Sequence, residues 1–228
     1  MEKVYYYTGS GHSRAVAEYI AEGLGRHTED ITVGEHEAED GAVTVVVFPV
    51  YCENMPDAVA GFLGTVKTGS AAVAAVYGGI SPGNVLFEAQ SILKRPLIAA
   101  AAVFAGHSFL SEGNSFDRET LDGFVGKIKK PAPVAVPPMR RSFYADFAPG
   151  WRSRVGLKIV KNDGCTECGK CEENCPVGAI FCGTPSNGCI RCLRCVSTCP
   201  ANALSFECRP FLRRYLERKK KEKSFLYI

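Results

Sequence analysis

The chain has 228 residues, 46% hydrophobic and 22% charged, with a net charge of +3. These are globular values, so disorder of the whole chain is excluded. The longest nearly unbroken apolar run, residues 97–105, is about half of the roughly 20 residues a membrane span needs, so no span is expected. Met1-Glu2-Lys3 leads straight into Val4-Tyr5-Tyr6-Tyr7. No secretory pattern intervenes, and the expected location is the cytoplasm.

Over residues 1–130, apolar runs alternate with helix-like stretches. Residues 3–7 read as a strand, 13–24 as a helix, 29–33 as a weaker strand and 43–48 as a strong buried strand. Residues 56–65 predict a short helix with Pro at its start, 71–77 a strand, 83–93 a helix, 97–105 a fifth strand and 116–128 an amphipathic helix. Strands that are apolar almost throughout predict a parallel sheet covered on both faces. Residues 131–157 read as a linker, because Pro131, Pro133, Pro137 and Pro138 discourage regular structure. Arg140, Arg141, Arg152 and Arg154 make it basic, and Phe143, Tyr144, Phe147 and Trp151 predict that it packs on a surface. Residues 158–208 form a second unit, and residues 209–228 a tail of net charge +6, which leaves −3 for the rest. As a helix over 213–223, the tail places Arg214, Arg218 and Lys221 along one side. It suits an acidic redox partner or a plain solvated face. No recognition module accompanies the charge, so nucleic acid is not expected.

Cysteine decides the chemistry. Ten of the eleven Cys fall within residues 165–208; only Cys52 lies earlier. Such density in a cytosolic chain points to metal ligands rather than disulfides. Cys165-x2-Cys168-x2-Cys171-x3-Cys175-Pro176 recurs 24 residues later as Cys189-x2-Cys192-x2-Cys195-x3-Cys199-Pro200, and Ala179-Ile180 is echoed by Ala203-Leu204. A two-residue gap lets consecutive sulfurs converge on one centre. This half resembles the two-cluster bacterial-type ferredoxins, in which the fourth Cys of each run ligates the other cluster. That assigns Cys165, Cys168, Cys171 and Cys199 to one [4Fe-4S] cluster, and Cys189, Cys192, Cys195 and Cys175 to a second. The alternative is a non-redox module with two structural zinc sites. Cys182 and Cys208 are surplus and read as small buried residues.

The first strand runs into Thr8-Gly9-Ser10-Gly11-His12-Ser13, where a helix begins. Glycines and helix-terminal amides at this place suit a phosphate. The third glycine of a dinucleotide fingerprint is missing, since Arg14 holds its position. The hydroxyl-rich loop resembles the phosphate loop of flavodoxins, which implies FMN and a doubly wound five-stranded α/β sheet of order 2-1-3-4-5. The loops after the third and fourth strands add Val50 and Tyr51, and Tyr77, Gly78 and Gly79, as candidate contacts of the flavin ring. His12 is a candidate phosphate contact. His107 reads as a satisfied loop histidine, and nothing marks Cys52 as reactive.

The whole resembles a flavodoxin-like domain fused to a small α+β two-cluster ferredoxin, an arrangement of anaerobic bacteria and archaea. The resemblance implies an iron–sulfur flavoprotein that carries electrons between two [4Fe-4S] clusters and FMN. The alternative is a flavin-dependent reductase fed by the clusters. No acid, base or nucleophile stands out as catalytic.

Overall fold

The computed structural model of the chain describes residues 2–110, 113, 115–143, 145 and 154–228. Tyr144, Phe147, Trp151 and Arg152 of the expected linker lie outside the described residues.

The first unit runs β1 (Lys3–Tyr6), α1 (His12–Leu24), β2 (His27–Asp30), β3 (Val43–Pro49), α2 (Asp57–Gly64), β4 (Ser70–Tyr77), α3 (Val85–Ile92), β5 (Leu97–Phe104) and α4 (Arg118–Lys129). The second runs β6 (Leu157–Lys161), α5 (Lys170–Glu173), β7 (Ile180–Phe181), β8 (Thr184–Pro185), α6 (Arg194–Ser197) and β9 (Leu204–Cys208). α7 (Pro210–Lys219) and β10 (Phe225–Tyr227) close the chain.

Alternation along the strands divides the core between two faces of the sheet. Tyr5, Tyr7, Val46 and Phe48 meet Val59, Phe62 and Leu63 of α2 and Leu86 and Ala89 of α3. Val4, Tyr6, Val45 and Val47 meet Val16 and Ile20 of α1 and Leu121 and Phe124 of α4. The alanines of β4 and β5 are fully buried, and their small side chains let helices lie close on both faces. Asp117 caps α4 by accepting from the Thr120 amide at 3.1 Å. β2 starts two residues before the expected 29–33 run because its ladder with β1 pairs Lys3 with His27 and Tyr6 with Asp30.

The sheet has six strands in the order β2-β1-β3-β4-β5-β10, where five were expected. β1 to β5 are parallel; β10 joins β5 antiparallel, with Leu226 opposite Ala101. Without it, β5 would leave an apolar row of unpaired amides at the edge. The end of the chain is therefore a strand, not a solvated tail. α7 stops at Lys219 and residues 220–223 lie outside any helix or strand, with the Lys221 amide donating to Gly79 O at 2.7 Å. Lys221 thus leaves the helical face that Arg214 and Arg218 occupy.

Residues 131–143 also differ from a free linker. The Val134 amide donates to Leu97 O at 2.8 Å, the Val136 amide to Gln90 Oε1 at 2.7 Å, and the Met139 amide to Asn84 Oδ1 at 2.8 Å. Val136 is buried on the α2/α3 face. Arg141 pairs with Glu88 at 2.9 Å. The prolines prevent helix and leave a strap whose amides bond to the start of β5, to Gln90 of α3 and to the α3 cap residue Asn84.

Truncation of the half-buried Leu226, which packs over Gly123, removes apolar contact from the α1/α4 face and weakens the hold of β10. Leu226→Ala is expected to cost about 2 kcal/mol, read as a lower denaturant midpoint with an unchanged slope.

Candidate metal centre

In the second unit, β6 pairs antiparallel with β9, and Ile159, Ala179, Ile180 and Leu204 make a small core among the cysteines. The 24-residue repeat is repeated in the backbone. Glu167, Gly169 and Gly178 have positive φ, and so do Arg191, Leu193 and Asn202 at the matching places. Left-handed residues inside each run turn the chain tightly enough to bring sulfurs two residues apart onto one side. Gly169 adopts this freely. Leu193, at φ 67, does so at a steric cost and is held by burial.

Two cavities result. One is lined by Cys165, Cys168, Cys171 and Cys199, the other by Cys189, Cys192, Cys195 and Cys175. Each thus takes three sulfurs from one run and the fourth from the other. The two crossing cysteines are held alike. The Ala179 amide donates to Cys175 Sγ at 3.2 Å, and the Ala203 amide to Cys199 Sγ at 3.3 Å. Cys182, surplus to the two cysteine runs, lines the first cavity too. Its amide donates to Glu172 Oε1 at 2.8 Å. Among the described residues, no three His, Cys, Asp or Glu side chains converge closely enough to hold one metal ion.

Residues 158–181 and residues 186–202 each match a family model described as a 4Fe-4S binding domain. This part of the chain is iron–sulfur and ferredoxin-like. Comparison with curated proteins and with solved structures gave no match.

The two ends of the ferredoxin-like part differ in surroundings. Cys168 is exposed, and its thiol is lowered by the Lys170 amide and then by the Thr166 hydroxyl. Cys192 and Cys195 lie deeper; burial pushes them up to about 11 and about 12 respectively. Such thiols keep their protons until a metal displaces them.

The second cysteine run packs on the first unit. Arg194, 9% exposed, donates from Nη1 to Thr8 O at 3.1 Å and pairs through Nη2 with Asp30 at 2.9 Å. Ser197 Oγ donates to Gly9 O at 2.9 Å. Asp30 also accepts from the Thr32 amide at 2.9 Å, and Thr32 Oγ1 accepts from the Thr8 amide at 2.9 Å. Sequence reasoning missed Arg194, Asp30 and Ser197. The one available signal was an arginine between two ligand cysteines, where the first run has Lys170.

The glycine loop sits at the start of α1 as expected. Gly11 has φ 99, and α1 begins at His12 with no side-chain cap. Ser10 Oγ lies 2.9 Å from His12 Nδ1 and 2.7 Å from Ser108 Oγ. His12 and Ser13 are buried. The remaining candidates are covered by the chain itself. A Cβ on Gly9 would stand 2.1 Å from Cys192 O and 2.6 Å from Tyr51 Oη. One on Gly78 would meet the His107 ring at 2.5 Å. One on Gly79 would meet Lys221 O and Lys220 Cγ at 2.8 Å. Tyr77 donates to Lys223 O. The Val50 amide donates to Val76 O at 2.9 Å, and its side chain packs on the α2/α3 face. In this arrangement the Cys192 carbonyl, the His107 ring and residues 220–221 lie against Gly9, Gly78 and Gly79 respectively. Cys52 has φ 51 in the tight turn between Tyr51 and Asn54.

Burial first, and then the neighbouring Cys192, push the Tyr51 hydroxyl well above its ordinary range, so it holds its proton at neutral pH.

Removing the guanidinium is expected to loosen the packing of the two units. Arg194→Ala should cost about 2 kcal/mol, less than a fully buried pair because Asp30 is 34% exposed. The check is faster hydrogen exchange at the Thr8 amide relative to those of β4.

Proposed function

We propose that the chain is an electron-transfer protein holding two [4Fe-4S] clusters. The observation that carries this reading is the division of eight cysteines into two cavities, each completed by the crossing Cys of the other run. Cys165, Cys168, Cys171 and Cys199 hold one cluster; Cys189, Cys192, Cys195 and Cys175 hold the other. Bound clusters of this kind supply one-electron chemistry. The chain's own contribution is positional. The Ala179 and Ala203 amides orient the crossing thiolates, and hydrogen bonds to sulfur stabilise its negative charge. The exposed Cys168 loop offers the side on which a redox partner docks, while the Cys192 loop faces the sheet.

The domain reading is 1–130 as a flavodoxin-like unit, 131–157 as a connecting strap, 158–208 as the ferredoxin-like unit and 209–228 as a C-terminal extension. The parallel β2-β1-β3-β4-β5 order supports the first of these.

FMN is the second reading, favoured by the uncapped start of α1 beneath Ser10, Gly11, His12 and Ser13. It requires the Cys192 loop to lift from Gly9 and the 220–223 segment to leave Gly79. The reductase alternative depends on the same opening. Zinc is disfavoured by the two matches to 4Fe-4S binding domains.

Anaerobically purified protein is expected to hold about eight irons and eight sulfides. Cys199→Ser and Cys175→Ser should each lower iron to about four, with different halves of the electron paramagnetic resonance spectrum lost. A flavin assay on the same sample separates the readings: one FMN per chain supports the second, and none leaves the first. Zinc without acid-labile sulfide overturns both.

A further inference from the structure

Tyr51 ends on a hydroxyl that the fold buries and leaves without an acceptor. Its oxygen has no solvent exposure and no hydrogen-bond partner among the described residues. A buried donor left unpaired costs about 1–3 kcal/mol, and native structures rarely tolerate one without a ligand to satisfy it. The placement is held firmly. Residues 51–54 close a tight turn in which the Tyr51 amide donates to Asn54 O at 2.9 Å and the Asn54 amide donates back at 3.0 Å. The ring packs edge-on against Tyr7, centroids 6.4 Å apart. The hydroxyl then lies on one face of Gly9, the face that the Cys192 carbonyl also covers.

This neighbourhood has one prospective acceptor of strong negative charge, the metal–thiolate centre carried by Cys192. Arg194 and Ser197, on the same loop, fix that loop to Thr8, Gly9 and Asp30. The loop therefore cannot drift from Tyr51 without breaking the Arg194–Asp30 ion pair. Resting on the two-cluster reading, we infer that Tyr51 is a positioning residue of the second centre: its hydroxyl donates a hydrogen bond to sulfur at the Cys192 corner. The sheet thereby tunes the electron affinity of a centre whose ligands all lie more than 120 residues away in sequence. The same side chain was expected beside a flavin ring. The chemistry assigned here is different in kind, a single O–H to sulfide or thiolate.

A donor to sulfur stabilises the reduced, more negative state, so its removal lowers the midpoint potential. The test is a redox titration of the anaerobic full-length protein followed by electron paramagnetic resonance, comparing the native chain with Tyr51→Phe. The expected result is that one of the two midpoints falls by about tenfold in the one-electron equilibrium, about 59 mV. The other stays in place and iron content is unchanged. Phe keeps the ring packing, so a purely structural role would move neither midpoint. Gly9→Ala is the second variant, because its Cβ must part the Cys192 carbonyl from the Tyr51 hydroxyl. It should lower the same midpoint and decides the matter if Tyr51→Phe fails to hold clusters. Two unmoved midpoints, or two that fall together, overturn the inference. Native protein without iron and sulfide instead overturns the two-cluster reading on which it rests.

Discussion

Arg194 stands between two cluster-run cysteines and gives both arms of its guanidinium to the other half of the molecule. One arm meets Thr8 O, the other Asp30. A charge that is 9% exposed is unfavourable unless its partners are in place. Once they are, the contact fixes much else. Thr8 and Asp30 are themselves tied through Thr32, so the loop after β1 and the end of β2 act as one receptor. Ser197, one turn further along α6, reaches Gly9 O. Gly9 accepts the Cys192 carbonyl only because it has no side chain. The same glycine, a candidate phosphate contact from its sequence, gives the backbone of the cysteine unit this close approach.

What was legible in the sequence was local. The two cysteine runs carry their meaning in spacing alone, because a tight turn brings sulfurs two residues apart together whatever surrounds them. The sheet strands were readable because β3, β4 and β5 are apolar on both faces. The partners of Arg194 were not readable, since Asp30 lies in a strand with no hydrophobic signal and is joined to it only by the folded chain. Tyr51 was read as a flavin contact from its place after β3; its closeness to the Cys192 loop at Gly9 was not readable, because the fold alone brings those residues together. β10 was hidden by composition. Three apolar residues after a basic run look like a frayed end until β5 is seen to lack an outer neighbour.

The surroundings of the two cysteine sets differ in a way that composition could not show. The first set includes an exposed thiol and an extra cysteine, Cys182. The second holds the buried Cys189 and Cys195 and the interface residue Cys192, lies against the sheet, and has a cation and a phenol beside it. A 24-residue repeat with identical ligand spacing therefore yields two unlike environments. The asymmetry originates in the sheet, which contacts one repeat through Thr8, Gly9 and Tyr51.

β10 gives the chain an unusual connectivity. The strand that completes the first sheet follows the cysteine unit in sequence, so that unit is threaded between two segments anchored on the same sheet: the strap along α3 and the strand beside β5. A cysteine unit fused at one end is a pendulum. One clamped at both ends is a short closed loop, and its excursions are bounded by two anchors rather than by one tether. Lifting the cysteine unit as a whole off the sheet therefore loads the strand beside β5 as well as the strap along α3. Fraying of that sheet edge releases one of the two holds on the metal unit.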